Sequence, residues 1–101
     1  MHCSEKWISL LTICRKAGKL VMGFDPAKEE ILGGRAKGVF LTSDVSPKTK
    51  KEVLYHAGQA GVFVQETEFN MDDIAAAVGR RAGVLAVCDE GFAAKLRELS
   101  Q

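Results

Sequence analysis

Arg15 to Lys37 reads RKAGKLVMGFDPAKEEILGGRAK, and this stretch decides the fold. The apolar run Leu20-Val21-Met22 is a short strand that stops at Gly23. Phe24-Asp25-Pro26 then opens a helix running from Pro26 to about Leu32, and Gly33-Gly34 ends it. Asp25 is predicted to be the N-cap, because its carboxylate can accept the free backbone N–H groups of the first turn. Pro26 suits the first helical position, where a missing N–H costs nothing. Six basic residues, Arg15, Lys16, Lys19, Lys28, Arg35 and Lys37, are expected around this entrance. A helix N-terminus offers donors and positive potential, so cations around it make a phosphate site. The alternative is a well-capped helix with ordinary solvated charges.

Outward from this unit, helical and strand patterns alternate. Upstream, Trp7, Leu10, Leu11 and Cys14 stand at i, i+3, i+4 and i+7, an amphipathic helix ending near Gly18. Downstream, Gly38–Thr42 is apolar without alternation, as in a strand covered on both faces. Ser46-Pro47 starts a third helix that ends near Gly58 and Gly61. Val62-Phe63-Val64 is expected to be a third buried strand. Asn70, with Asp73 three residues on, opens a short alanine-rich helix that Gly79 closes. Val84–Val87 is the fourth strand, and Asp89 caps a last helix with Phe92, Leu96 and Leu99 on one face. The pattern predicts an α/β fold: a three-layer α-β-α sandwich of about four strands and five helices, one domain over residues 1–101. Phe40, Leu41, Phe63, Val64, Leu85 and Val87 should all be buried. The pattern does not specify strand order.

Composition narrows the functional classes. The chain has 101 residues and a net charge of +1, but residues 1–52 hold ten Lys/Arg against six Asp/Glu, and residues 53–101 four against seven. A nearly neutral chain can still present a basic face, and that face governs an encounter over a Debye length of about 10 Å. No apolar run is long enough to span a bilayer, and the start MHCSEKW lacks a secretory pattern, so a cytoplasmic protein without membrane contact is expected. Cys3, Cys14 and Cys88 are odd in number and widely spaced, as reduced thiols are, and form no zinc pattern.

Signatures of enzymes are missing. There is no G-x-S-x-G, no G-x-x-x-x-G-K-[ST] and no H-E-x-x-H. His2 lies at the N-terminus, and His56 late in the third helix reads as a solvated or edge-packed residue. Cys14 falls on the apolar stripe of the first helix. Cys88 and Asp44, each near a strand end, are the two positions on which an acyl- or phosphoryl-transfer reading would rest. No metal and no small-molecule cofactor is called for.

Three segments carry a family resemblance: Arg15–Val21 with Gly23 and a helix ending before Arg35-Ala36-Lys37; Leu41-Thr42-Ser43-Asp44-Val45-Ser46-Pro47; and Ile74-Ala75-Ala76-Ala77-Val78-Gly79. Together with the element order from Trp7 to Leu96, they resemble the ribosomal protein L7Ae/L30e superfamily of kink-turn RNA-binding proteins, and look closest to its small bacterial YlxQ-type branch. The resemblance implies a non-catalytic protein whose partner is structured RNA, with rRNA and the ribosome foremost. It also implies that the Gly23 loop and the Arg80-Arg81 loop lie side by side at one end of the sheet. The RNA-contact residues it points to are Lys19, Gly23, Phe24, Asp25, Lys28, Arg35, Lys37, Arg80 and Arg81. Gly23 would permit close backbone approach, Phe24 would stack on an unpaired base, and the cations would hold phosphates. Lys48, Lys50 and Lys51 are read as a solvated helix face.

The recognition loop departs from the family pattern. Strong kink-turn binders read G-T-N-E-x-T-K, whereas this chain reads Gly23-Phe24-Asp25-Pro26-Ala27-Lys28-Glu29. Asp25 keeps an acceptor but loses the amide donor, Pro26 has no side-chain acceptor, and Glu29 would repel phosphate. The loop Arg80-Arg81-Ala82 is short and basic, where kink-turn binders carry a longer apolar one. The alternative function is therefore a protein-interaction or ribosome-assembly module of the same fold.

Overall fold

Trp7, Leu11 and Cys14 recur at helical spacing, and in the computed structural model, which describes residues 4–100, all three are buried on one side of α1 (Ser4–Lys16). His2 and Cys3 lie outside the described residues. The remaining elements follow in the expected order: β1 (Leu20–Met22), α2 (Phe24–Leu32), β2 (Gly38–Leu41), α3 (Pro47–Ala60), β3 (Val64–Glu66), α4 (Met71–Val78), β4 (Val84–Val87) and α5 (Glu90–Leu99). No helix among the described residues is long and apolar enough to cross a membrane.

The four strands form one mixed sheet in the order β1-β4-β2-β3. β4 lies antiparallel to both neighbours, with Leu20 opposite Val87 on β1 and Phe40 opposite Leu85 on β2. β3 runs parallel to β2 at the edge, with Val39 opposite Val64. Alternation along the strands divides the core in two. Phe40, Leu85 and Val87 pack with Trp7, Leu11, Ile74 and Leu96 under α1, α4 and α5. Val39, Leu41, Val84 and Ala86 pack with Ala27, Ile31 and Val53 under α2 and α3. Helices thus cover both faces, in a three-layer sandwich. β2 and β4 are buried at every position because they are central as well as covered.

Local chemistry sets most boundaries. Ser46 accepts from the Thr49 N–H at 3.2 Å to begin α3, and Asn70 and Asp73 form a reciprocal capping box on α4. Asp89 accepts from the Phe92 N–H at 2.9 Å to begin α5. Gly61 and Gly79 close α3 and α4 with φ of 71° and 79°.

One strand differs from expectation. β3 starts at Val64, two residues after the expected start, and Phe63 and Val64 are only half-buried. An apolar run cannot report its own place in a sheet. This one pairs with β2 alone, so neither its outer edge nor its faces are fully covered.

Candidate nucleic-acid interface

Antiparallel pairing of β4 with β1 and β2 sorts the expected site residues between two ends of the sheet. At the first end the chain leaves β1 through Gly23 and enters α2. The Gly23 N–H donates to the Val84 carbonyl at 2.9 Å, and the Gly23 carbonyl accepts the first helical bond, from the Ala27 N–H at 3.0 Å. Gly23 has φ 98° and ψ 157°, a conformation that L side chains rarely adopt. The same pairing brings in the loop before β4. A Cβ on Gly23 would stand 4.0 Å from Nη2 of Arg80, so the guanidinium lies directly over this turn.

Asp25 is not the N-cap. That position belongs to Gly23, whose left-handed backbone lets the helix start at Phe24, so Asp25 is the second helical residue and Pro26 the third. Pro26 still costs nothing, because the third N–H is also among the four without an intrahelical partner. No side chain caps α2, in contrast to α3, α4 and α5. The exposed Asp25 carboxylate makes no hydrogen bond or ion pair among the described residues. Phe24 is half-buried against the α2–α3 side of the core, and the Lys28 ammonium lies 6.0 Å from its ring centroid.

Arg80 and Arg81, adjacent in sequence, are differently placed. Arg81 folds back on α4, its Nε 3.0 Å from Oδ1 of Asp72. Arg80 has no ion-pair partner among the described residues. Asp44, at the turn after β2, accepts from the Met71 N–H at 3.0 Å and so fixes the start of α4. Its carboxylate is used structurally, across a sequence separation that gave no local signal of the contact.

Lys19, Arg35 and Lys37 stand at the opposite end, with Cys88. The Lys19 carbonyl accepts from the Cys88 N–H at 2.8 Å, and the Lys37 N–H donates to the Val87 carbonyl at 2.8 Å. Lys19 precedes β1 and Gly23 follows it, so about 13 Å of extended chain separates the ends. Arg35 folds onto the last turn of α2, pairs with Glu30, and donates to the Glu29 carbonyl at 3.3 Å. Arg15 and Lys16 close α1 at this same end. The expected ring of six cations around the α2 entrance therefore reduces to Lys28, with the Arg15 guanidinium behind it, donating to Sδ of Met22 at 2.6 Å. The helix carries the chain the length of the sheet before Arg35 and Lys37 are reached.

Of the two thiols here, Cys14 is buried and Cys88 half-buried, and both are weakly acidic. Burial pushes Cys14 up to about 11, with smaller contributions from Asp89 and Cys88. Burial also raises Cys88, as does Glu30, while Arg35, Lys19 and Lys37 act in the opposite sense. Neither thiol has the lowered pKa of a nucleophile. Lys50, read as part of a solvated face, pairs with Glu66 at 2.9 Å.

Comparison with known proteins accords with this architecture. Residues 5–97 match the Ribosomal protein L7Ae/L30e/S12e/Gadd45 family. The RNA-binding protein YlxQ of Bacillus subtilis is 37% identical over 99 residues, covering 93% of this chain and 94% of the relative. The large ribosomal subunit protein eL30B of Schizosaccharomyces pombe is 33% identical over 85 residues, covering 82% and 73%. A solved Bacillus halodurans protein of unknown function superposes with a TM-score of 0.86 at 30% identity, over 93% of this chain and 95% of the other. With the match extending from α1 to α5, this chain belongs to the ribosomal protein L7Ae/L30e/S12e/Gadd45 family.

Proposed function

We propose that this chain is a non-catalytic, cytoplasmic RNA-binding protein, and that the Gly23 end of its sheet grips the backbone of a structured RNA. One observation carries the reading: the uncapped N-terminus of α2 opens from a glycine in a left-handed backbone, with the unpaired Arg80 guanidinium held over it. The N–H groups of Phe24 and Asp25, the helix dipole and the Arg80 guanidinium would serve one anion there, with the Asp25 carboxylate in the same turn acting against it. Lys28, one turn along α2, extends the cationic track. Relatives named as an RNA-binding protein and a large-subunit ribosomal protein support the RNA-binding reading, within which we take rRNA as the foremost target. Kink-turn recognition in the manner of the strongest binders is not part of it, since Asp25 and Pro26 lack the donors and acceptors of the asparagine and glutamate they replace.

The structure separates two arginines that look alike in sequence, and the test uses this difference. Retention of fragmented total RNA on a filter is measured across a salt series. Arg80→Ala is expected to weaken binding and lower the slope of log K against log salt by about 0.9, the loss of one phosphate contact. Arg81→Ala, already neutralised by Asp72, is expected to do less, and Lys50→Ala/Lys51→Ala least. Absence of salt-dependent retention by the wild-type chain would overturn the proposal, as would a larger effect at Lys50/Lys51 than at Arg80.

A further inference from the structure

The Lys37 end of the sheet carries cations that the Gly23 end does not use. Lys19 and Lys37 flank the end of β4, two strand spacings or about 10 Å apart. Both are exposed, and neither makes an ion pair among the described residues, whereas Arg35 beside them is paired with Glu30. Arg15 and Lys16 have a local explanation, because they sit in the last turn of α1 and offset its dipole. Lys19 and Lys37 lie beyond the helix ends and have none.

Next to Lys37 lie two hollows, one of about 450 Å³ along α5 and one of about 290 Å³ at the ends of α2 and α3, both lined by Lys37 and Glu90. Phe63 lines the larger one, its ring seated on Gly38, where a Cβ would come within 2.4 Å of it. The Arg97 guanidinium lies 4.5 Å from the Phe63 centroid, so one face of the cation is held by the ring while the exposed side chain presents the other. A guanidinium fixed on an aromatic ring is a stacking platform for a nucleobase. Glu90 and Glu98 line the α5 wall. They disfavour an acidic protein partner, direct phosphates to the Lys19–Lys37 side, and offer acceptors to base N–H groups.

We propose that the Lys37 end is a second RNA-contact surface. On it Lys19 and Lys37 hold the backbone of a single-stranded segment, and the Phe63–Arg97 platform stacks one of its bases. The inference rests on the RNA-binding reading and adds that one RNA engages both ends of the sheet.

The full chain is tested on two probes, a folded rRNA hairpin and the same hairpin with single-stranded oligouridine extensions at both ends. Wild type is expected to bind the extended probe more tightly. Lys19→Ala/Lys37→Ala should remove that gain and lower the salt slope for the extended probe by about 1.4, two contacts on a single strand. Arg97→Ala should weaken the extended probe about tenfold through lost stacking. Both variants should bind the plain hairpin as wild type does, while Arg80→Ala weakens both probes. If the Lys19/Lys37 and Arg97 variants hold the extended probe like wild type while Arg80→Ala is impaired, the second surface is overturned and the first stands. If wild type binds neither probe, both proposals fall.

Discussion

The two ends of the sheet differ in where their positive potential originates. At the Gly23 end it comes from backbone: the uncapped start of α2, a glycine that allows close approach, and one arginine aimed across the turn. At the Lys37 end α2 arrives with its carbonyls, Arg15 and Lys16 offset the negative pole of α1, and Lys19 and Lys37 stand beyond the helix ends. Lysines and arginines at the two ends therefore have different roles. On the proposed reading, one end would hold an anion in a defined geometry, while the other offers exposed lysines beside two hollows. A count of basic residues along the chain cannot separate these roles.

The glycines test this contrast with the largest expected effects. Gly23→Ala and Gly38→Ala should each cost about 1–3 kcal/mol, the first from backbone strain and the second from overpacking. At Gly23 the added methyl meets nothing closer than 3.7 Å, so the strain lies in φ. At Gly38 the methyl collides with the Phe63 ring. Truncating Phe63 should recover part of the Gly38→Ala loss in a double-mutant cycle, and truncating Arg80 should recover none of the Gly23→Ala loss. Urea denaturation reads both cycles. Rescue of Gly23→Ala by Arg80→Ala would place the constraint in the side chain and erase the distinction.

The aspartates give a smaller difference. Asp89 caps α5 at the Lys37 end, so Asp89→Ala should cost about 0.5–2 kcal/mol. Asp25 caps nothing, and Asp25→Ala should change stability by less than about 0.5 kcal/mol. Thermal melts of the two variants check this, and equal losses would contradict the geometry around Gly23.

The smallest difference vanishes at neutral pH. Cys14 in the folded protein titrates at about 11, above its ordinary value of 9.0. Above that ordinary value the unfolded thiol releases its proton while the folded one keeps it. Stability is thus fully present below about pH 9 and declines as pH rises toward 11. Cys14→Ala should flatten this decline in a denaturant series run between those pH values. An unchanged slope would show that the thiol is better solvated than its position in the core implies.

The amino-acid sequence by itself determined the elements and their order, because periodicity, caps and glycines act over three or four residues. Ser46, Asn70 and Asp89 cap the helices they precede, and Leu20–Met22 and Val84–Val87 are strands over those same residues. Local chemistry misled at Asp25 and Pro26, a good cap and first-turn pair that the backbone of Gly23 displaced by two positions. Only the tertiary structure decided which charges meet. Strand order set Arg80 over Gly23, sent Lys19 and Lys37 to the far end, tied Asp44 to α4, and laid Arg97 on Phe63. Those contacts join residues far apart in the chain through hydrogen-bonded strands and packed faces, and an apolar run carries no record of which neighbour it will pair with.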